Sequence, residues 1–288
     1  MNNKVCALII TYNIDEKIIE VASSIVNQVE LLVIVDNSSK PQTIKLLERL
    51  NKNLKIKVIF NKENCGIAKA LNQGINFTKE NKYEWILTLD HDSVCEKDMI
   101  KNMLSCLNDY GDKDNIGILT PKIFEIHKQN FISKSSHQER KYIKVKDCIQ
   151  SGALINLKVF DKIGYFNEDL FIYHVDFDFC QRLLKANYDI VQCNNVTLYH
   201  EEGYKVAKRF LWKKVFYNNY SSSAIYYITR NTIYMCKTYN VIYIKRIVKD
   251  FIFITLFDKK RKERLFYFLK GIHDGILNKY GKLEIIPK

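Results

Sequence analysis

Residues 85–94 read WILTLDHDSV. Trp85, Ile86, Leu87 and Leu89 form a run suited to burial in a sheet, and the run stops at two aspartates one residue apart. In an extended chain the side chains of residues i and i+2 point the same way. Asp90 and Asp92 therefore face one point, and His91 faces away. Two carboxylates this close repel unless a cation sits between them. Ligation by oxygen alone suits Mg2+ or Mn2+, and Mg2+ keeps positions for water and phosphate oxygens. The plainer alternative is a solvated turn, with one aspartate capping the next helix.

The same pattern recurs upstream. VCALIITYN (5–13), LLVIVDNSS (31–39) and KIKVIFN (55–61) are apolar runs that end in polar residues. Segments 15–28, 43–50 and 66–80 lie between the strands and have helical spacing. Alternating strands and helices, with strands apolar throughout, predict an α/β fold on a parallel sheet covered on both faces. Ligands of such sheets gather at the carboxyl ends of the strands. Those ends carry Thr11, Tyr12 and Asn13, then Asp36 and Asn37, then Asn61, then Asp90 and Asp92.

Further on, 125–147 reads as a loop or hairpin, 151–164 as a strand entering a short helix, and 176–187 as a helix. That helix has acids at its start and bases towards its end, as its dipole favours. Residues 188–200 read as a final strand pair. After about 205 the chain becomes aromatic and basic, with Trp212, Phe216, Tyr217, Tyr220 and Tyr226 among its aromatics. A helix over 241–257 places Ile244, Ile247, Val248, Phe251, Ile252 and Leu256 on one face, and KKRKER (259–264) follows.

Charge is distributed unevenly over the 288 residues. Residues 201–288 hold 19 Lys and Arg against 7 Asp and Glu, a balance of +12 of the total +13. A near-neutral body with a basic tail points to a polyanionic partner, either lipid headgroups or nucleic acid. The eight cysteines form no C-x-x-C pair, which speaks against a zinc knuckle. The N-terminus reads as a first strand rather than a signal peptide, and no apolar run approaches the roughly 20 residues of a membrane span. A cytoplasmic protein with reduced thiols is the expectation.

The order of elements resembles glycosyltransferase family 2, and within it the bacterial rhamnosyltransferase-like members. The residues that carry the resemblance are IITYN (9–13), VDNSS (35–39), NKENCGIAKALNQGI (61–75), LTLDHDS (87–93), SGALI (151–155), GYFNEDLFIYHVDFDFCQRL (164–183) and the H-x-x-G of His200 to Gly203. This resemblance implies a GT-A (Rossmann-like) nucleotide-diphospho-sugar transferase fold over 1–205. Residues 206–288 would then be a helical, basic extension.

The resemblance also implies roles. Thr11 and Tyr12 look like nucleoside contacts, and Asp36 like the group that accepts from the base; its alternative is a simple Asx turn. Asn64, Gly66 and Lys69 lie at a loop-to-helix junction that suits phosphate, or that is only a helix entry. Asp92 would hold Mg2+ or Mn2+ most directly, Asp90 would reach ribose or metal-bound water, and His200 would approach the metal or diphosphate. Asp176 is assigned as the base that takes the acceptor proton, with Asp178 in support. Family members commonly have Glu-Asp here, where this chain has Val175-Asp176. The alternative for Asp176 is a helix cap. Arg230 could meet phosphate or be a surface arginine.

The implied reaction is inverting transfer of a sugar from a nucleoside-diphosphate donor, dTDP-L-rhamnose first and a UDP-hexose second. The acceptor would be a lipid-linked oligosaccharide destined for capsule or O-antigen, at the inner face of the plasma membrane. The tail would meet an anionic membrane surface, or form a lid or homodimer surface. A nucleic-acid-binding protein would explain the basic tail but not acids at successive strand ends, so nucleic acid is not an expected partner. A catalytically inactive binding protein is the remaining rival.

Overall fold

The computed structural model describes residues 4–132, 140–201, 205–210, 213–218, 220–239 and 244–284, with backbone only at 205–218. Gly203 and Trp212 lie outside the described residues, as do the side chains of Phe216, Tyr217 and Ile244.

Strands β1 (Val5–Thr11), β2 (Leu31–Asp36), β3 (Ile56–Phe60) and β4 (Trp85–Asp90) alternate with helices α1 (Lys17–Ile25), α2 (Pro41–Leu50) and α3 (Ile67–Glu80). They pair in parallel in the order β3-β2-β1-β4. Every residue of β1 is buried, as a central strand with both faces covered requires. After β4 come β5 (Val94–Cys95), α4 (Met99–Asp109), β6 (Ile116–Glu125), β7 (Asn130–Phe131), β8 (Tyr142–Val145), β9 (Ala153–Asn156), α5 (Val159–Ile163), α6 (Val175–Lys185) and β10 (Asp189–His200).

The expected parallel sheet holds for the first four strands and for the β6–β10 pair. Between them β9 runs antiparallel to both β4 and β6, which makes the sheet mixed. The expected strand pair over 188–200 is a single strand, β10, with a register shift against β6 between Cys193 and Thr197. The Asn194-Asn195 step that breaks the apolar alternation is an irregularity within the strand rather than a turn. Asn194 donates there from its amide to Lys141 O at 2.9 Å and from Nδ2 to Arg140 O at 2.8 Å, and its Oδ1 accepts from Gln192 Nε2 at 2.8 Å.

The chain divides into two compact units. The first is Met1–Phe166 with Phe179–Glu202, and the second is Asn167–Asp178 with Gly203–Lys288. The first is built on the sheet. Its core joins strand residues such as Ile9, Ile34 and Leu87 to Ile18, Ile25, Met99 and Met103 from α1 and α4. The second unit contains a hairpin of β11 (Lys205–Phe210) and β12 (Lys213–Asn218), so this region is not wholly helical. Helices α7 (Ser222–Tyr239), α8 (Ile244–Phe257) and α9 (Arg261–Ile276) follow. Ile225, Ile254 and Phe268 form their shared core, with Ile247, Leu265 and Ile272 packed against it. On α8, Val248, Phe251, Ile252 and Leu256 remain exposed. No helix among the described residues is long and apolar enough to cross a membrane.

Candidate active site

The carboxyl ends of the parallel strands carry connected polar groups. Thr11 closes β1, and its Oγ1 donates to Asp36 Oδ1 at the end of β2, at 2.9 Å. The Ser39 hydroxyl donates to the same oxygen at 2.5 Å, and the Ser39 N–H to Asp36 Oδ2 at 2.9 Å. Asp36 thus makes the side-chain turn that its DNSS setting allowed. A carboxylate has about four acceptor positions, so one is left unused, although Asp36 is 0% exposed. Tyr12, next along, is 48% exposed. At the head of α3, Gly66 has φ 86°, which favours glycine. Its N–H is taken by Asn64 Oδ1 at 3.0 Å, and Lys69 is exposed in the first helical turn. Asn64 and Gly66 therefore close the helix entry on each other.

Asp90 ends β4 and Asp92 lies in the turn after it. The chain then enters β5, which pairs antiparallel with β10 through Val94 with Tyr199 and Cys95 with Leu198. That pairing carries His200 to the aspartates. One ligating atom from each of Asp90, Asp92 and His200 lies within 4.8 Å of the others. His200 Nδ1 is 2.8 Å from Ser93 Oγ and 3.5 Å from Asp92 Oδ1. Ser151 and Gln150, in the loop before β9, both reach Asp90. The Asp90 N–H donates to Ser151 Oγ at 3.0 Å, and Gln150 Nε2 donates to Asp90 Oδ1.

Burial, then the charge of Asp92, push the Asp90 carboxyl above the usual carboxylate range. Burial also pushes Asp92 up, but the hydrogen bond and charge of His200, with the charge of His91, outweigh it and hold Asp92 below that range. A cation bound between two half-buried carboxylates and an imidazole would stabilise both carboxylates in their charged form. Two oxygens and a nitrogen are a donor set for a divalent cation such as Mn2+, with imidazole less typical around Mg2+. The residues present fit such an ion.

Residues 6–164 match the family model described as Glycosyl transferase family 2, which is more than half of the chain. The chain belongs to glycosyl transferase family 2. The match ends before Asp176 and His200, but two relatives span them. This family 2 glycosyltransferase is 28% identical over 288 residues to the dTDP-rhamnosyl transferase RfbF of Shigella flexneri, covering 94% of each chain. It is 24% identical over 303 residues to the low-salt glycan biosynthesis hexosyltransferase Agl10 of Haloferax volcanii, covering 96% of this chain and 92% of the relative. Among solved structures, GalNAc-T7 with UDP, GalNAc and Mn2+ superposes with a TM-score of 0.61 at 12% identity, over 95% of this chain and 56% of that one. The transferase thus spans little more than half of that structure. S. aureus TarS 1–349 with UDP-GlcNAc gives a TM-score of 0.58 at 17% identity, over 95% of this chain and 80% of that one. These structures establish the shared GT-A fold.

Asp176 and Arg230 belong to the second unit of this family 2 enzyme. Asp176, in the first turn of α6, is half-buried, and its Oδ1 accepts from the Phe177 N–H at 2.9 Å. Asp178 is fully buried and accepts from the hydroxyls of Tyr234 at 3.0 Å and Tyr239 at 2.6 Å. Arg230 is not on the surface: it is 0% exposed. Its guanidinium donates to Gly281 O, Asp169 O, Leu170 O and Asn231 Oδ1. The tyrosine rings of 226, 227 and 280 lie within 6 Å of it. With four donors on protein acceptors, it holds the second unit together. Asn231 Nδ2 adds bonds to the carbonyls of Leu170, Ile172 and Tyr173. Sequence reasoning assigned no role to Ser93, Gln150 or Asn231. Ser93 and Ser151 lie inside motifs that carry the family resemblance, whereas Gln150 sits one residue outside one.

Proposed function

We propose that this glycosyltransferase moves L-rhamnose from dTDP-L-rhamnose to a hydroxyl of a lipid-linked oligosaccharide, with inversion. The observation that carries the donor site is the Asp90–Asp92–His200 cluster at the ends of β4 and β10. Its donor set suits Mn2+ and, less typically, Mg2+, and a bound ion there would neutralise charge on the leaving diphosphate. Thr11, Tyr12 and Asp36 lie at neighbouring strand ends, where a nucleoside would sit, and Asn64, Gly66 and Lys69 lie at the nearby head of α3. Arg230 is left out of the donor contacts, because its donors are already placed on protein acceptors.

Asp176 takes the proton of the attacking hydroxyl. That oxygen bonds to the anomeric carbon as the bond from that carbon to the diphosphate breaks, and dTDP departs. Rhamnose is favoured by the likeness to the dTDP-rhamnosyl transferase over 94% of the chain. A UDP-hexose donor is the second reading, supported by the likeness to the archaeal hexosyltransferase. A lipid-linked acceptor would put the enzyme at the inner membrane face. The exposed Val248, Phe251, Ile252 and Leu256, beside exposed Lys245 and Lys249, suit an anionic lipid surface.

The test is a screen of purified protein against dTDP-L-rhamnose, UDP-galactose, UDP-glucose and UDP-N-acetylglucosamine with Mn2+ or Mg2+. Nucleotide release and thermal shift are the readouts. Release of dTDP alone is expected. Release of UDP alone would move the assignment to the second reading, and no response to any donor would overturn both.

A further inference from the structure

We propose that Gln150 and Ser151 are positioning residues for the Asp90–Asp92–His200 cluster, fixing which carboxylate oxygen Asp90 presents to a cation. The inference rests on the cation reading above. The backbone of this loop is held in place before any ligand arrives. The Gly152 N–H donates to Thr88 O at 2.8 Å, the Ala153 N–H to Gln150 O at 3.2 Å, and Thr88 Oγ1 also to Gln150 O. Gly152 sits at φ +83°, where a Cβ would meet Pro121 Cγ at 2.8 Å, so the loop can pass here only as glycine.

From that fixed backbone Gln150 Nε2 donates to Asp90 Oδ1. Only the NH2 end of an amide can donate to a carboxylate, so the orientation of Gln150 is set by Asp90. Its other end, Oε1, is then buried with no hydrogen-bond partner among the described residues. A buried acceptor without a donor is unfavourable, so fold stability alone does not account for an amide at this place. The donor end does account for it, by occupying Oδ1 and turning the second oxygen of Asp90 towards the cluster.

Ser151 completes the arrangement. Its Oγ accepts from the Asp90 N–H at 3.0 Å and donates to Ser93 Oγ at 2.8 Å. Ser93 in turn lies 2.8 Å from His200 Nδ1 and 3.4 Å from Asp92 Oδ1. Both serines are 0% exposed. Two adjacent residues thus reach all three candidate ligands, directly or through one hydroxyl. Partners of this outer kind orient ligands and tune metal affinity.

The test is Mn2+ affinity, read by electron paramagnetic resonance with dTDP present, for wild type, Gln150→Met and Ser151→Ala, with Asp92→Ala as control. Gln150→Met keeps the volume and removes both the donor and the orphan acceptor. It should weaken Mn2+ about tenfold while changing the metal-free melting temperature little, because losing the bond to Asp90 and removing the orphan acceptor oppose each other. If it fails to fold, Ser151→Ala carries the same expected loss. Wild-type Mn2+ affinity in either folded variant, while Asp92→Ala has lost binding, overturns the positioning role and leaves the cation reading intact. A Mn2+ loss matched by a lower metal-free melting temperature makes the role merely structural and also overturns it. No Mn2+ binding by wild type overturns the cation reading and this inference together.

Discussion

Asp176 and Asp178 are two residues apart in sequence, yet their surroundings differ. Asp178 is buried under two tyrosine hydroxyls, while Asp176 is half-buried at the head of its helix. The assignment of Asp176 as base predicts that Asp176→Asn retains dTDP binding but lowers transfer about 10²- to 10⁴-fold in a labelled-sugar assay. Near-normal turnover would remove it from that role. His174, just upstream, gives a pH signature. Burial first, and then the charge of Arg246, push its pKa down from 6.5 to about 4. Its ring also lies 3.1 Å from Thr232 Oγ1 and beside Phe177. The native state keeps it neutral, so below pH 6.5 the unfolded chain takes up the proton first. This contribution is complete above pH 6.5 and is lost as the pH falls towards 4, by up to about 3 kcal/mol. Urea unfolding at pH 7 and pH 5 should show a smaller difference for His174→Asn than for wild type. Asparagine tolerates the φ of 60° at this position.

At the scale of elements, helix α7 secures the backbone that leads into α6. Phe171, Tyr173 and His174 all have φ near +60°, a strained region for such residues. Asn231 meets three carbonyls of this stretch, and Arg230 meets those of Asp169 and Leu170. Asn231→Ala should therefore cost about 3 kcal/mol, seen as a lower urea midpoint. Helix α8 turns Ile247 and Ile254 inward and leaves Val248, Ile252 and Leu256 outside. Ser at Lys259, Lys260, Arg261 and Lys262 together should release the protein from anionic vesicles in cosedimentation. Undiminished binding would favour a lid or dimer surface. Elements near in sequence were the legible ones. The apolar runs ending at Thr11, Asp36 and Asp90 declared the strands, because a parallel strand buried on both faces needs continuous apolar residues, and their polar ends marked the candidate site. The pairing of β5 with β10 had no such signal. It joins Ser93 to a histidine 107 residues away, and register at that range is set by packing rather than by local pattern.

Over the whole molecule, the shift to basic composition near residue 205 carries no sign that Asn167–Asp178 groups with the C-terminal region. The grouping arises from buried polar contacts, those of Arg230, Asn231 and Asp178, which propensity and periodicity do not encode. For the same reason Arg230 read as a phosphate ligand or a surface residue, when four of its donors meet protein acceptors. The antiparallel step onto β10 has one more consequence. Asp90, Asp92 and His200 converge only when β5 and β10 are paired. A denatured chain offers no comparable chelate, so by mass action any ion that fills the cluster pulls the unfolding equilibrium towards the native side. Saturation at 100 times Kd would add about 2.7 kcal/mol. EDTA, stripping the protein purified in Mn2+, should therefore behave as a weak denaturant.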